Sequence, residues 1–72
     1  MFNNVEDMID VYGWSQSSRL LYIINKHMIE GKTKQEIHDD VCNHKPLPLI
    51  KEKSFNVLWN RYERISDKVN FV

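Results

Sequence analysis

The chain has 72 residues, with ten basic and ten acidic side chains, so its formal net charge is zero. Apolar residues make up 42% of it, too many for a wholly disordered chain, and the length allows one domain but excludes two independent cores. The single cysteine, Cys42, excludes an internal disulfide framework, so stability has to come from well-packed helices, a metal or a partner.

The start of the chain predicts where the protein resides. Its first seven residues are polar and acidic, and the longest unbroken apolar run is the segment LLYII at residues 20–24. A secretory signal needs a basic start and an apolar stretch of about 7–15 residues, and a membrane-spanning helix needs about 20. We therefore predict a soluble, intracellular (cytoplasmic) protein that makes no membrane contact.

Apolar residues at helical spacing predict two helices in the first half of the chain. The first covers residues 4–12, where Asn4 is a suitable N-cap, and Gly13 supplies the left-handed residue that ends many helices. The second covers residues 16–30 and ends at Gly31. Its apolar stripe is broad, which predicts a central helix contacted on more than one side.

Two more helices are predicted in the second half. The third covers residues 34–43, where Thr33 and Glu36 have the spacing of a capping box. Pro46 and Pro48 disfavour helix in the residues before them, so residues 44–50 are predicted to form the one long loop. The fourth helix covers residues 51–68 and has the strongest periodicity in the chain. Its apolar stripe consists of Phe55, Leu58, Trp59, Tyr62, Ile65 and Val69. No segment alternates as a strand does, so we predict an all-α fold: a single small four-helix domain over residues 1–72.

The most informative motif is YIINKHMIEGKTKQEI at residues 22–37. An apolar helix ends in Glu30, Gly31 and Lys32, and Thr33 then caps a helix that begins Lys-Gln-Glu-Ile. The motif resembles the first two helices of tri-helical helix-turn-helix domains, such as sigma-factor region 4, LuxR-type regulators and phage and transposase DNA-binding domains. The resemblance implies a helix-turn-helix-like core made of the second to fourth helices. The alternative is an ordinary pair of helices joined by glycine and threonine capping.

The resemblance also implies a function: a small transcriptional regulator of phage or mobile-element type that reads DNA with the fourth helix. The predicted DNA-binding residues are Lys51, Lys53, Asn56, Asn60, Arg61, Arg64 and Lys32. Asn pairs with adenine and Arg with guanine in the major groove, while Lys contacts phosphates. Because a lone domain makes few phosphate contacts, DNA binding would favour a homodimer that reads two half-sites.

Two features depart from this pattern. Glu52, Glu63 and Asp67 lie among the basic residues, and the loop at residues 44–50 is longer than the family turn of about 3–4 residues. Zero net charge and the acidic first helix favour an alternative function, a small adaptor or inhibitor that docks on a larger protein without binding nucleic acid. Phe2, Trp14 and Phe71 are the predicted interface residues for that alternative.

His38, Cys42 and His44 are the residues whose types suit zinc binding or nucleophilic chemistry. Structural metal sites usually show cysteine pairs at short spacing, and a catalytic thiol needs a concave pocket with an oxyanion site. The sequence indicates neither feature, so we predict no metal, no cofactor and no enzyme activity. His38 and Cys42 are instead predicted to flank the apolar core.

Overall fold

The computed structural model describes residues 1–72, which fold as helices without a β-strand. Helix α1 is Val5–Ile23, α2 is Lys34–Cys42 and α3 is Glu52–Ile65. A π-helical segment, Ile24–Ile29, continues α1, and a 3-10 turn, Ser66–Lys68, continues α3. The prediction of an all-α fold is confirmed.

The prediction of four helices is wrong: the structure has three α-helices, because the first two predicted helices are joined at a kink within α1. Its helical winding resumes directly after Gly13, whose backbone has φ 82° and ψ 168°. Essentially only glycine adopts this conformation, so Gly13 interrupts the helical winding and leaves a kink between the two helical segments of α1. Asn4 caps α1 as predicted, since its side chain accepts a hydrogen bond from the backbone N–H of Asp7 at 2.9 Å.

The last part of the predicted second helix is wound more widely than an α-helix. The N–H of Glu30 donates to the carbonyl of Asn25, five residues back, at 3.0 Å. Gly31 follows with a φ of 73°, and the N–H of Lys32 donates to the carbonyl of Lys26 at 2.9 Å. Gly31 therefore stops the helix where the sequence predicts.

Helix α2 begins with the predicted capping box. Thr33 Oγ1 accepts from the N–H of Glu36 at 3.2 Å, and Glu36 Oε1 accepts from the N–H of Thr33 at 3.0 Å. Hydrogen bonding to Thr33 lowers the pKa of Glu36, because it favours the charged carboxylate. After α2 the loop turns back on the helix, where the N–H groups of Leu49 and Ile50 donate to the carbonyl of Val41 at 2.8 and 3.2 Å.

Helix α3 supplies the largest share of the core and packs against both α1 and α2. Every residue of its predicted apolar stripe is buried: Phe55, Leu58, Trp59, Tyr62, Ile65 and, beyond the helix, Val69. The rest of the core consists of Phe2, Met8, Leu20, Ile23, Ile24, Ile37 and Val41. The burial predicted for the α3 stripe is thus confirmed.

The prediction that Phe2 is an interface residue is wrong, because Phe2 belongs to the core of the protein itself. Only 8% of Phe2 is exposed, and its ring centre lies 5.9 Å from that of Tyr12. Its N–H donates to the carbonyl of Lys68, and its carbonyl accepts from the N–H of Asn70, both at 2.8 Å. These bonds form one isolated parallel bridge between Phe2 and Val69, so the two chain ends close together over the core.

Candidate nucleic-acid interface

The candidate interface is the face of α3 that points away from the core. Residues eleven apart lie nearly in line on an α-helix, because three turns take about 10.8 residues. Lys53 and Arg64 therefore share one line, and Val57 and Asn60 lie between them on the same face. All four side chains are exposed. We call these four residues the outward face of α3.

The acidic residues of α3 lie on a different flank. Glu52 and Glu63 are also eleven residues apart and so share a line of their own. Glu52 Oε1 lies 3.9 Å from Nε2 of His38 in α2, which places this acidic line on the side of α3 that faces α2. The outward face thus holds two cations, Lys53 and Arg64, with no acid between them.

The other predicted DNA-binding residues of α3 occupy three positions. Lys51 is the exposed N-cap of the helix, and Asn56 is exposed between the outward face and the acidic line. Arg61 turns toward α1 instead: its Nη1 donates to Gln16 Oε1 at 2.9 Å, and its guanidinium lies 5.6 Å from the ring centre of Tyr12. Arg61 is therefore engaged within the protein, whereas Lys51 and Asn56 are open to solvent.

Lys32 lies apart from α3, half-buried in the turn before α2. The structure also adds to this surface two residues that are not among the predicted DNA-binding residues. Arg19 of α1 lies across a groove from Lys53, and Val57 is 60% exposed in the middle of the outward face. The sequence contains one indication for Arg19, since residues 14–29 contain no acid that could neutralise it. It contains none for Val57, because an apolar side chain suggests a buried position.

The residues considered for metal binding or catalysis do not converge. His38 packs edge-on against Phe55 with ring centres 5.2 Å apart, and the Nδ1 of His44 lies 3.3 Å from the carbonyl oxygen of Leu47 in the loop. No group of three His, Cys, Asp or Glu side chains is arranged to hold a metal ion. Cys42 is half-buried, and burial raises the pKa of its thiol, which favours the less nucleophilic protonated form.

A polar and aromatic cluster that the sequence did not predict joins the π-helical segment to α3. His27 Nδ1 and Tyr62 Oη are 2.7 Å apart, and the His27 ring packs edge-on against Trp59 with centres 5.2 Å apart. Burial raises the pKa of Tyr62, so its hydroxyl stays protonated and available to donate. From α2, the Lys34 ammonium lies 5.7 Å from the ring centre of Trp59. The cluster therefore connects all three parts of the helical core.

The residues predicted for a protein interface also differ in exposure. Trp14 is 74% exposed beside the bend in α1, and Val11 nearby is 64% exposed. Phe71 is half-buried and packs against the core, close in sequence to the bridge that buries Phe2. Only Trp14 of the three predicted residues is therefore a free surface residue.

Comparison of the chain with protein-family models, curated proteins and solved structures finds no match. No helix of the structure has both the length and the apolar composition needed to cross a membrane.

Proposed function

We propose that this protein is a small DNA-binding transcriptional regulator of the phage or mobile-element type, which reads DNA with α3. The observation that carries the proposal is the acid-free outward face of this helix. An α-helix fits the major groove, where Arg64 would pair with guanine, Asn60 with adenine and Val57 with the methyl group of thymine. Contact with a thymine methyl group would remove the exposed apolar side chain of Val57 from water.

In this proposal, α3 is presented to DNA by a helix-turn-helix-like pairing of α2 and α3 with an extended connection. The connection, residues 43–51, exceeds the family turn of about 3–4 residues. The last part of the connection is nevertheless hydrogen-bonded to α2, because the N–H groups of Leu49 and Ile50 both donate to the carbonyl of Val41. These two bonds hold the start of α3 near the end of α2, as a DNA-recognition helix requires.

The remaining predicted residues have supporting roles in the proposal. Lys51, Lys53 and Lys32 contact phosphates, and Asn56 contacts the DNA at the edge of the outward face. Arg61 positions Gln16 rather than reading a base, because its guanidinium is already bonded within the protein. A surface with so few cations gives low affinity alone, so the proposal includes a homodimer on two half-sites.

The proposal is tested by selecting bound duplexes from a random library and measuring their affinities by fluorescence anisotropy at two salt concentrations. Asn60→Ala should relax the preference at one base pair by about 1–3 kcal/mol, and Val57→Ala should relax the preference for thymine at a second base pair to a smaller extent, because alanine keeps one methyl group. Lys53→Ala should weaken binding to all sequences alike and lower the salt slope by about one unit. Lys26→Ala, which removes a lysine of the π-helical segment together with its ion pair to Glu30, is the control away from α3 and should change neither quantity.

Circular dichroism of each variant checks that the fold is intact, as expected for the exposed positions Lys53, Val57 and Asn60 and for the loss of one i,i+4 ion pair at Lys26. The proposal fails if selection enriches no sequence, or if Lys53→Ala and Lys26→Ala bind DNA alike.

A second candidate function, an adaptor or inhibitor that binds a larger protein, is favoured by one observation, the exposed Trp14 beside Val11. Exposed tryptophan is unusual on a surface without a partner and common at the centres of interfaces. It would be tested by capturing partners from nuclease-treated lysate of the source cells with the wild type and with Trp14→Ala. A partner bound by the wild type and lost with Trp14→Ala would support this function, and equal capture by both would exclude Trp14 as the contact.

A further inference from the structure

A groove of about 230 Å³ lies between α1 and α3, beside the outward face. It is lined by Gln16, Arg19, Lys53, Ser54, Val57 and Leu58. The two helices run in opposite directions here, because Gln16 contacts Arg61 while Arg19, one turn further along α1, lies opposite the start of α3. The groove is therefore fixed by two rigid elements rather than by a loop.

The charge of this groove is positive and uncompensated. Arg19 and Lys53 are both exposed, and neither makes an ion pair. No acid lines the groove, and Glu52, the acid next in sequence to Lys53, faces His38 of α2 instead. Two cations that converge on one concavity without an acid repel each other, which an anion between them would relieve.

The neutral polar groups of the groove are donors. Gln16 Oε1 accepts the hydrogen bond from Arg61, so the side-chain amide is held in one orientation and its N–H groups remain free. The exposed hydroxyl of Ser54 lines the groove and can also donate. Arg adds a planar fork of N–H groups that matches phosphate oxygens in pairs. The groove thus combines donors and positive charge, which is the chemistry of a phosphate site.

We propose that this groove binds one phosphate group of a nucleic-acid backbone, next to the bases that α3 reads. The inference rests on the proposed function and extends it, because it assigns Arg19 and Gln16 of α1 to the DNA surface. Val57 lies at the boundary, since it lines the groove and belongs to the outward face. A phosphate held here would fix the register of α3 along the duplex, as backbone contacts do in DNA-binding proteins.

The first arm of the test uses the selected duplex and a series of duplexes in which one phosphodiester at a time is replaced by a neutral methylphosphonate. Arg19→Gln should lower the salt slope by about one unit. One methylphosphonate position should weaken the wild type but produce no further loss with Arg19→Gln, because the contact is already absent. Lys26→Gln, a charge removal away from the groove, is the control, and each methylphosphonate should affect it as it affects the wild type.

The second arm uses inorganic phosphate, followed by nuclear magnetic resonance, and does not depend on DNA recognition. Saturable shifts of the Gln16 side-chain amide and the Arg19 Nε–H in the wild type, with the Gln16 shift lost in Arg19→Gln, should accompany the results of the first arm. Phosphate binding without any effect of Arg19→Gln on the duplex would overturn the backbone assignment, with a free phosphate as the ligand. Sequence-specific DNA binding in which Arg19→Gln matches Lys26→Gln would overturn this inference and leave the proposed function intact. Failure to bind any duplex would remove both.

Discussion

Ser17 is the one fully buried polar side chain of the protein, and its hydroxyl has no hydrogen-bond partner. A buried hydroxyl without a partner loses its contacts with water and gains nothing in return, which costs about 1–3 kcal/mol. Alanine also has the higher helix propensity. We therefore expect Ser17→Ala to raise the free energy of unfolding by about 1 kcal/mol in urea denaturation.

The neighbouring Ser18 provides the control for this prediction. Its side chain is exposed, and its hydroxyl donates to the carbonyl of Ser15 at 2.9 Å. Ser18→Ala should change the free energy of unfolding by no more than about 0.5 kcal/mol. A loss of stability in Ser17→Ala greater than that in Ser18→Ala would show that the Ser17 hydroxyl is satisfied.

The capping box at Thr33 and Glu36 makes the stability of the protein depend on pH. Because the folded state lowers the pKa of Glu36, the stabilisation by its carboxylate is fully present above the ordinary value of about 4.3. It is lost as the pH falls through the lower folded value. Glu36→Gln keeps an acceptor for the N–H of Thr33 but cannot ionise. The stability advantage of the wild type over Glu36→Gln should therefore be greatest near neutral pH and disappear in acid, as measured by urea denaturation across that range.

Thr33→Ala checks the other half of the box. It removes the oxygen that accepts from the N–H of Glu36 and should cost about 1 kcal/mol in the free energy of unfolding at neutral pH. A difference between wild type and Glu36→Gln that stays constant from neutral to acid pH would contradict the assigned role of the carboxylate.

At the scale of helices, the bend in α1 depends on Gly13. Its backbone has φ 82° and ψ 168°, a region that essentially only glycine occupies, although a methyl group added there would meet no neighbour within 4 Å. The cost of Gly13→Ala is therefore backbone strain rather than a clash, and we expect a loss of about 1–3 kcal/mol in the free energy of unfolding. Asn56→Ala, at an exposed position inside α3, is the control and should not lose stability. A Gly13→Ala variant as stable as the wild type would mean that α1 tolerates a straight path.

The starts and ends of helices could be predicted from the sequence because their causes are local. Asn4, Thr33 and Gly31 each act on groups within a few residues, so spacing alone reveals them. The burial of the α3 stripe follows from periodicity in the same way. The immediate return of helical winding after the kink at Gly13 and the wider winding of Ile24–Ile29 could not be predicted, because both depend on how α1 packs against the rest of the protein.

The candidate site could likewise be predicted only where its features depend on local sequence. The face of α3 follows from its period, so the exposure of Lys53, Asn60 and Arg64 was predictable from the sequence. The engagement of Arg61 with Gln16 was not, since these residues lie 45 positions apart and meet only when α1 packs against α3. The contribution of Arg19 to the same surface depends on that packing as well.

At the scale of the whole molecule, the two chain ends stabilise each other. A core of this size is marginal without disulfides, so each large apolar side chain matters. Phe2 and Val69 are both 8% exposed and form the bridge that closes the ends over the core. The sequence could not show this, because Phe2 has no helical period and its partner lies at the other end of the chain.

This closure predicts that Phe2 and Val69 are energetically coupled. Phe2→Ala removes a buried ring and should cost about 3 kcal/mol in the free energy of unfolding. In a double-mutant cycle, Phe2→Ala and Val69→Ala together should cost less than the sum of the single changes by about 0.5–3 kcal/mol, because either change already opens the contact. Phe2→Ala combined with Val57→Ala, an exposed position on the outward face of α3, should instead be additive. Additivity in the Phe2 and Val69 cycle would show that the bridge joins the chain ends without stabilising the core, and the burial of Phe2 would then depend on its contact with Tyr12.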